Sequence, residues 1–359
     1  MRPDLTPEQS MLKETVTRLV ADTYDFETRR AVQAEPGGWS RTLWSSLAEL
    51  GVLAALAPED AGGLGGGGVE AMLIAETLGS ALSAEPFLPS VVMGGGVLAE
   101  LGHPALADII AGELTLSWIG QGPELSSDDD TLSGFAVSAP WADTADRLMV
   151  VAAGTEGPVL LLVDPSASQV HLDAHRTFDG LPVASVTFDA LPAGAFERLA
   201  AGPVAVDLIE RAEQRAIAWL AGEGVGLMAM VLDTTVEHLK SRVQFGQPLA
   251  AFQALQHRAA EMLVALEHAR SAAILGATAH DDPDPVERRK LFAAVKFALS
   301  ESSHIVGAGG VQLHGGIGVT EEHKVGWAFR RLTMIELLHG DADAQASALA
   351  DLGGFVSAD

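Results

Sequence analysis

The spacing of apolar positions changes twice along the chain and divides it into three stretches. Residues 1–112 and 204–359 carry apolar side chains three or four positions apart, which is the spacing of one helix face. Residues 113–203 instead contain short apolar runs, such as LMVVAA and VASVTFD, broken by Gly, Pro, Asp and Ser. Such runs are typical of about five or six β-strands joined by tight turns. The pattern predicts an α+β chain with an N-terminal α-helical domain, a small middle β-sheet or barrel domain and a C-terminal helical domain.

Helix start and stop signals place elements in the first domain. Residues 6–9, Thr-Pro-Glu-Gln, have the sequence of a helix N-terminus with a capping box. Ser40 is placed to cap a second helix, and Gly51 follows the last apolar residue of that helix. A third helix is expected over about residues 69–78, after a glycine-rich loop.

The last domain has the most regular pattern. Apolar residues recur at alternating spacings of three and four over residues 252–273, and again over residues 292–306. Stripes of this length predict long antiparallel helices packed at shallow angles, as in a four-helix bundle. Gly222 and Gly226, one turn apart, would let a neighbouring helix approach closely.

Composition and charge exclude several classes of function. The chain has 359 residues, of which 48% are hydrophobic and 19% charged, so it is long and apolar enough to fold. A net charge of −26 disfavours nucleic acid and anionic membranes as partners. The absence of cysteine excludes disulfides and thiolate chemistry. We find no 18-residue apolar run and expect a cytoplasmic protein.

Two common motifs carry little weight here. Residues 63–68 match G-x-G-x-x-G, but no strand and no alternation of strands and helices surround them, so we interpret them as a loop between helices. His314, His323 and His339 lie near one another in sequence without the spacing of a metal site. We therefore expect structural or surface histidines and no metal.

Two segments of the last domain are more specific. Arg242, Phe245 and Gln253 flank a turn between two helices, where they could bind a phosphate, stack on a ring and hydrogen-bond a ligand. The segment 312–323, QLHGGIGVTEEH, contains glycines that permit close backbone approach to an anion. Taken separately, each segment is also compatible with an ordinary helix–helix turn.

Together these segments, in this order, resemble the acyl-CoA dehydrogenases, and the resemblance covers essentially the whole chain. It is carried by residues 51–65 with 76–79, residues 132–134 and 142–152, residues 242–253, and residues 312–323 with Arg330.

The resemblance implies FAD, an acyl-CoA substrate that undergoes α,β-dehydrogenation, a tetrameric assembly and an electron-transfer flavoprotein as acceptor. In the family, the equivalents of Arg242, Phe245 and Gln253 reach the FAD of the neighbouring subunit. The equivalents of Gln312, Gly315 and Gly316 lie along its pyrophosphate.

The catalytic base of the family is missing. Family members remove the α-proton with a carboxylate while hydride leaves Cβ for the flavin. The usual position of that carboxylate holds His339, and the alternative position on the first long helix of the last domain falls at about Ala216. Asp341 stands where the family has a threonine that contacts FAD. Glu210 and Glu213 are weak substitutes as a base.

The middle domain departs from the family as well. The segment 118–128 retains only Pro123-Glu124 of the usual motif beside the flavin. Short relatives without a base are similar to this chain: they form one partner of actinobacterial α2β2 acyl-CoA dehydrogenases, and a homologous subunit supplies the base. Those enzymes act on CoA thioesters of sterol side chains or other bulky acyl groups.

We therefore interpret the chain as such a base-deficient subunit. Its domains are expected at residues 1–112, 113–203 and 204–359. Three alternatives remain. The chain could be a self-sufficient homotetramer with His339 as an atypical base, a flavin monooxygenase of the same fold, or a scaffold without activity.

Overall fold

The computed structural model describes residues 5–120, 124–128, 130–280 and 282–355. Pro123, which belongs to the retained middle-domain motif, lies outside these residues. The helices are α1 (Pro7–Thr23), α2 (Phe26–Ala34), α3 (Arg41–Glu49), α4 (Gly68–Ser80), α5 (Gly96–Glu100), α6 (Ala105–Ile110), α7 (Gly202–Ser241), α8 (Gln253–Ala279), α9 (Pro285–His314), α10 (Lys324–Leu337) and α11 (Ala342–Asp351). The strands are β1 (Leu116–Ile119), β2 (Ser126–Ser127), β3 (Thr131–Pro140), β4 (Arg147–Gly154), β5 (Gly157–Val163), β6 (Val170–Arg176), β7 (Pro182–Pro192), β8 (Phe196–Ala201), β9 (Val243–Gln244) and β10 (Gln247–Pro248). The predicted order of helices, sheet and helices is confirmed.

The predicted N-terminal caps are present. The backbone N–H of Gln9 donates to Thr6 Oγ1 (3.2 Å), and the N–H of Thr6 donates to Gln9 Oε1 (3.0 Å), which completes the capping box of α1. Ser40 Oγ accepts from the N–H of Leu43 (3.1 Å) at the start of α3. Gly51 follows α3 with a φ of +73°. These contacts satisfy backbone groups that a helix end leaves without intrahelical partners.

The glycine-rich loop is not a nucleotide loop. Within the described residues the first strand begins at Leu116, far downstream of it. The loop contains a single 3₁₀ turn (Glu59–Ala61). Gly63 packs against the backbone of Ala57, where an added Cβ would lie 2.0 Å from the carbonyl oxygen. The interpretation as a loop between helices is confirmed.

The described Cα positions group into two compact units. One comprises Met1–Glu27, Gly67–Ser83 and Ile217–Asp359, and the other comprises Thr28–Gly66 and Ala84–Ala216. These two units do not correspond to the three domains expected from the sequence, and the three-domain division stays a prediction.

The second unit contains the sheet. Its strand order is β6-β7-β3-β2-β4-β5-β8, and β1 pairs in parallel with β4. Fully buried side chains such as Leu148, Val150, Leu161 and Val186 form its core. More strands are present than the sequence predicted. The last strand, β8, lies just before residue 204, where the sequence predicts the C-terminal domain to begin, and its mostly exposed residues gave no apolar run.

The first unit is helical. In α9, all five residues of the predicted apolar stripe between residues 292 and 306 are buried. In α8 the stripe is buried only from Met262 onward, whereas Phe252, Leu255 and Ala259 are half-buried. The N-terminal part of α8 is therefore only partly covered by the rest of the unit.

Glycines bring α4 and α7 into backbone contact. A Cβ added at Gly226 would lie 1.9 Å from the carbonyl oxygen of Glu76, and one added at Gly222 would lie 2.9 Å from that of Met72. The close approach predicted for these glycines is confirmed. By length and composition α7 could also cross a membrane, contrary to the expectation that no such run exists. However, 78% of its most apolar 18-residue window is buried inside the protein. Its apolar residues are those of a core helix.

Candidate functional site

The first wall of the candidate site is the turn between α7 and α8. Arg242 follows the last residue of α7, and its backbone N–H still donates to the carbonyl of His238 (2.9 Å). The chain then reverses in the β9–β10 hairpin, where Phe245 has a φ of +53° and Gly246 a φ of +81°. The N–H of Leu249 donates to the carbonyl of Arg242 (2.8 Å) and closes the turn. The backbone of Arg242 is thus held from both sides.

The second wall is the glycine turn, which we define as residues 315–319 after α9. It forms a 3₁₀ turn, and Gly315 has a φ of +64°, a conformation that favours glycine. Nothing lies within 4 Å of a Cβ added at Gly315 or Gly316. Gly318, in contrast, is packed against the backbone of Val311. The first two glycines therefore leave open space beside their backbone.

The two walls border one cleft of about 730 Å³. Four of the residues predicted from the sequence line it together, although 70 positions separate Arg242 from Gln312. These four are Arg242, Gln312, Gly315 and Gly316. The first turns of α8 close the cleft with Leu255 and Arg258. The volume is in the range of small-molecule and cofactor sites.

The cleft differs in charge from the rest of the molecule. Arg242 and Arg258 both line it, and its lining within the described residues includes no Asp or Glu. The chain as a whole carries a net charge of −26. Two guanidinium groups, a Gln side chain and open glycine backbone are the donors that bind phosphate groups. The cleft is therefore suited to an anionic, phosphate-bearing ligand.

Three histidine rings lie in a row beside this cleft, and we call them the histidine stack: His238, His314 and His323. The rings of His238 and His314 are stacked with an interplanar angle of 29°, and those of His314 and His323 are tilted by 48°. The ring centroids of His238 and His314 are 4.5 Å apart, and those of His314 and His323 are 4.7 Å apart. Burial lowers the pKa of each ring below its ordinary value of 6.5. The neighbouring rings lower the pKa of His238 and His323 further, as do the cations Arg242 and Lys324 respectively. The stack is consequently neutral at pH 7.

Two predicted site residues do not line the cleft. Phe245 is 90% exposed at the tip of the hairpin, where its ring meets Phe252 edge-to-face at 6.1 Å. Gln253 is exposed at the first position of α8, next to the lining residue Ala254. The roles expected for Phe245 and Gln253 therefore stay predictions.

The family's usual base position lies after α10. His339 has a φ of +57°, and its carbonyl accepts from Gln345 Nε2 (2.7 Å). The carboxylate of Asp341 accepts from the N–H of Ala344 (2.9 Å) and caps α11. Asp341 therefore has a structural role that the sequence did not reveal.

The alternative base position has no acid either. Ala216 is fully buried within α7. One turn or more before it, Glu210 Oε1 accepts from Gln214 Nε2 (3.0 Å). His339 and Ala216, the two positions at which the resemblance predicts a base, are thus not carboxylates, and their assignment as base positions stays a prediction.

Sequence reasoning missed His238 and Arg258 in the cleft. His238 lies in the last turn of α7, four residues before Arg242, whose backbone N–H donates to the His238 carbonyl (2.9 Å) and so keeps the two residues close together. Arg258 lies five residues after Gln253 on α8. His314 and His323 were expected to be structural or surface residues, and both pack in the stack, whereas His339 is not part of it.

Comparison with known protein families identifies the family of the chain. A model of the acyl-CoA dehydrogenase N-terminal domain matches residues 6–110, and a model of the C-terminal domain matches residues 207–352. The chain belongs to the acyl-CoA dehydrogenase family. The resemblance inferred from the sequence is confirmed, and the family is one of oxidoreductases that act on CH–CH groups.

Individual relatives within the acyl-CoA dehydrogenase family match over nearly the full length. The chain is 33% identical over 334 residues to acyl-CoA dehydrogenase IpdE2 of Mycobacterium tuberculosis, covering 91% of this chain and 92% of that protein. A variant of the Tcur3481-Tcur3483 steroid ACAD superposes with a TM-score of 0.88 at 28% identity, covering 96% of this chain and 97% of that one. The ChsE4-ChsE5 complex from Mycobacterium tuberculosis shares the fold, with a TM-score of 0.87 at 24% identity and 98% coverage of both chains.

Proposed function

We propose that this chain is the base-deficient subunit of a heteromeric, FAD-dependent acyl-CoA dehydrogenase. The observation that carries the proposal is the cationic cleft, which joins Arg242, Gln312 and the glycine turn in a protein with no carboxylate at either base position. Family membership indicates the type of reaction, and the residues that line the cleft indicate the type of ligand.

The residues of the cleft fit FAD. Arg242 and Arg258 would pair with the pyrophosphate, and the open backbone at Gly315 and Gly316 would let it approach their amides. Gln312 would hydrogen-bond a polar edge, and the exposed Phe245 would stack on a ring, including one held by a neighbouring subunit. When bound, FAD supplies the acceptor for the hydride that leaves Cβ of the acyl group.

The other half of the reaction, removal of the α-proton, needs a base that this chain does not carry as a carboxylate. Ala216 has no proton-accepting group and is fully buried. His339 has its backbone fixed in a left-handed conformation after α10. We therefore assign the base to a homologous partner subunit. The residues of this chain would bind and orient the cofactor across the interface.

The relatives support the partner and substrate class. A relative of similar length is an acyl-CoA dehydrogenase, IpdE2, and a structure with 28% identity is a steroid ACAD named for two proteins. We propose an acyl-CoA substrate with a bulky or sterol-derived acyl group, an electron-transfer flavoprotein as acceptor, and a cytoplasmic location.

Replacing Arg242 tests the cofactor assignment. Arg242→Ala should weaken FAD binding about 10- to 100-fold, because a charge-assisted bond to phosphate contributes about 1.5–3 kcal/mol. Lys240→Ala is the matched control: it removes a cation from the end of α7, where Lys240 pairs with Glu237 (3.0 Å) outside the cleft. The measurement is FAD content per complex and FAD affinity by flavin fluorescence. Equal affinity in the two variants would contradict the assignment.

A further inference from the structure

The histidine stack connects three elements that border the cleft. His238 belongs to α7 and lies one turn before Arg242. His314 is the last residue of α9 and directly precedes the glycine turn. His323 caps α10, where its Nδ1 accepts from the N–H of Val325 (3.3 Å). The ring of His314 lies between the other two.

We propose that His314 is a positioning residue for the cleft: its neutral ring holds the Arg242 end of α7 and the glycine turn in the arrangement that binds a phosphate-bearing nucleotide, and protonation of the stack releases that arrangement. This inference rests on the proposed function, because the nucleotide concerned is FAD.

Burial of His314 and the cap made by His323 favour neutral rings. His314 Nδ1 lies 2.9 Å from the carbonyl oxygen of Gly310, which can only accept, so Nδ1 carries a hydrogen and, in the neutral ring, Nε2 carries none. The bond to Gly310 persists in the protonated ring and raises the pKa of His314, but burial has the larger effect and lowers it. Nε2 is buried and has no hydrogen-bond partner among the described residues. A proton there would create a buried N–H without an acceptor, which is costly. A proton on His323 Nδ1 would remove the cap of α10.

The charges around the stack oppose protonation in place. In the described part of the chain, Arg242, which follows α7, acts on His238, and Lys324 from α10 acts on His323. Arg258 from α8 lines the same cleft. Each of these groups is a cation and disfavours a further positive charge nearby. We therefore expect a protonated ring to leave the stack for solvent.

The lowered pKa values of the three rings determine how FAD affinity should change with pH. All three rings bind protons less well in the folded protein than at their ordinary pKa of 6.5. The neutral stack is fully present above pH 6.5 and is lost as the pH falls through the lowered values. Affinity for FAD should fall with it. The opposite trend would have a different cause. A proton retained in the stack would attract the pyrophosphate, so the affinity for FAD would rise as the pH falls.

The test compares His314→Phe, which keeps a ring but cannot titrate, with wild type and with His268→Gln, an exposed histidine on α8. FAD dissociation constants of the intact complex are measured from pH 8 to 5.5. In wild type and H268Q the dissociation constant should rise below pH 6.5 by up to about tenfold per pH unit for each proton coupled to release. In H314F the rise should be clearly smaller, because His314 no longer titrates and only His238 and His323 can still take up a proton. Parallel curves for wild type and H314F, or tighter binding of wild type at low pH, would overturn the inference.

A second measurement uses only the wild-type complex, so it tests the inference even if H314F fails to fold. Hydrogen–deuterium exchange of the wild-type complex, corrected for intrinsic pH effects, should show residues 310–325 losing protection below pH 6.5. Unchanged protection there would overturn the inference without any variant. Failure of wild type to bind FAD at pH 8 is a different outcome, because it contradicts the proposed function itself and removes the ligand on which this inference rests.

Discussion

Lys296 is the most unusual charged residue of the helical unit. It lies on α9 with no solvent exposure, and its Nζ donates to Ser300 Oγ (2.9 Å) and to the carbonyl oxygen of Glu336 (2.8 Å). That carbonyl belongs to the last turn of α10, where a cation is favoured by the helix dipole. Burial nevertheless lowers the pKa of Lys296 to about 8. The protein thus keeps a costly ammonium group against the carbonyl of Glu336, three residues before His339 in the chain.

This cost predicts a pH-dependent stability. The unfolded chain binds the Lys296 proton up to its ordinary pKa of 10.5, whereas the folded chain releases it near 8. The free energy of unfolding should therefore rise between pH 8 and 10.5, by at most about 1.4 kcal/mol per pH unit from this group. Lys296→Met should lack this contribution. Urea unfolding at several pH values measures it.

The control for Lys296 is Lys290→Met, which removes a lysine from the same helix where it pairs with Glu287 (2.9 Å). The control should retain the wild-type slope. A Lys296→Met curve parallel to wild type between pH 8 and 10.5 would show that the buried ammonium group does not set that slope.

At the scale of single residues, the sequence predicted part of the site. Arg242, Gln312, Gly315 and Gly316 were recognisable because local spacing resembles a family motif, and the fold brings them to one cleft. Arg258 was not recognisable, because a lone arginine on a helix carries no local signal until the opposite wall is known. Whether these residues contact FAD stays a prediction.

At the scale of elements, the crossing of α4 and α7 depends on glycine. The backbone of Glu76 would lie 1.9 Å from a Cβ at Gly226, and backbone cannot yield as a flexible side chain can. Gly226→Ala should lower the free energy of unfolding by about 1–3 kcal/mol through overpacking. The midpoint of urea unfolding measures the loss.

Gly276→Ala on α8 is the matched control for this crossing. Its added Cβ would meet its nearest neighbour, Val295, at 3.3 Å, and the helix gains up to about 1 kcal/mol in propensity from alanine. We expect little net change in stability for this variant. Equal losses in the two variants would mean that the α4–α7 approach is not the cause.

Helices and strands were predictable where the local sequence has a regular apolar pattern. Both α9 and the buried strands β4 and β5 have regular apolar patterns, and the structure contains them. The strand β6 has one buried residue followed by six exposed ones, so its sequence gives no alternation. Its pairing with β7 is a tertiary contact that local sequence cannot encode.

At the scale of the whole molecule, the net charge of the chain bears on how it could bind an anionic cofactor. A chain of net charge −26 repels a polyanionic substrate and cofactor unless cations are concentrated locally. The cleft concentrates two arginines, and the side chain beside it, Phe245, is almost fully exposed. Both features are explained if the cleft is completed by a second, homologous subunit.

The most direct test of this account is the flavin absorbance spectrum and native mass of the chain. Both are measured on the chain purified alone and again after co-expression with any homologous acyl-CoA dehydrogenase subunit that is encoded beside it. We expect little or no bound flavin when the chain is alone, and a yellow heterotetramer with two FAD per tetramer when it is paired. A yellow homotetramer with four FAD from the chain alone would contradict the account, and His339 would then be the first residue to replace.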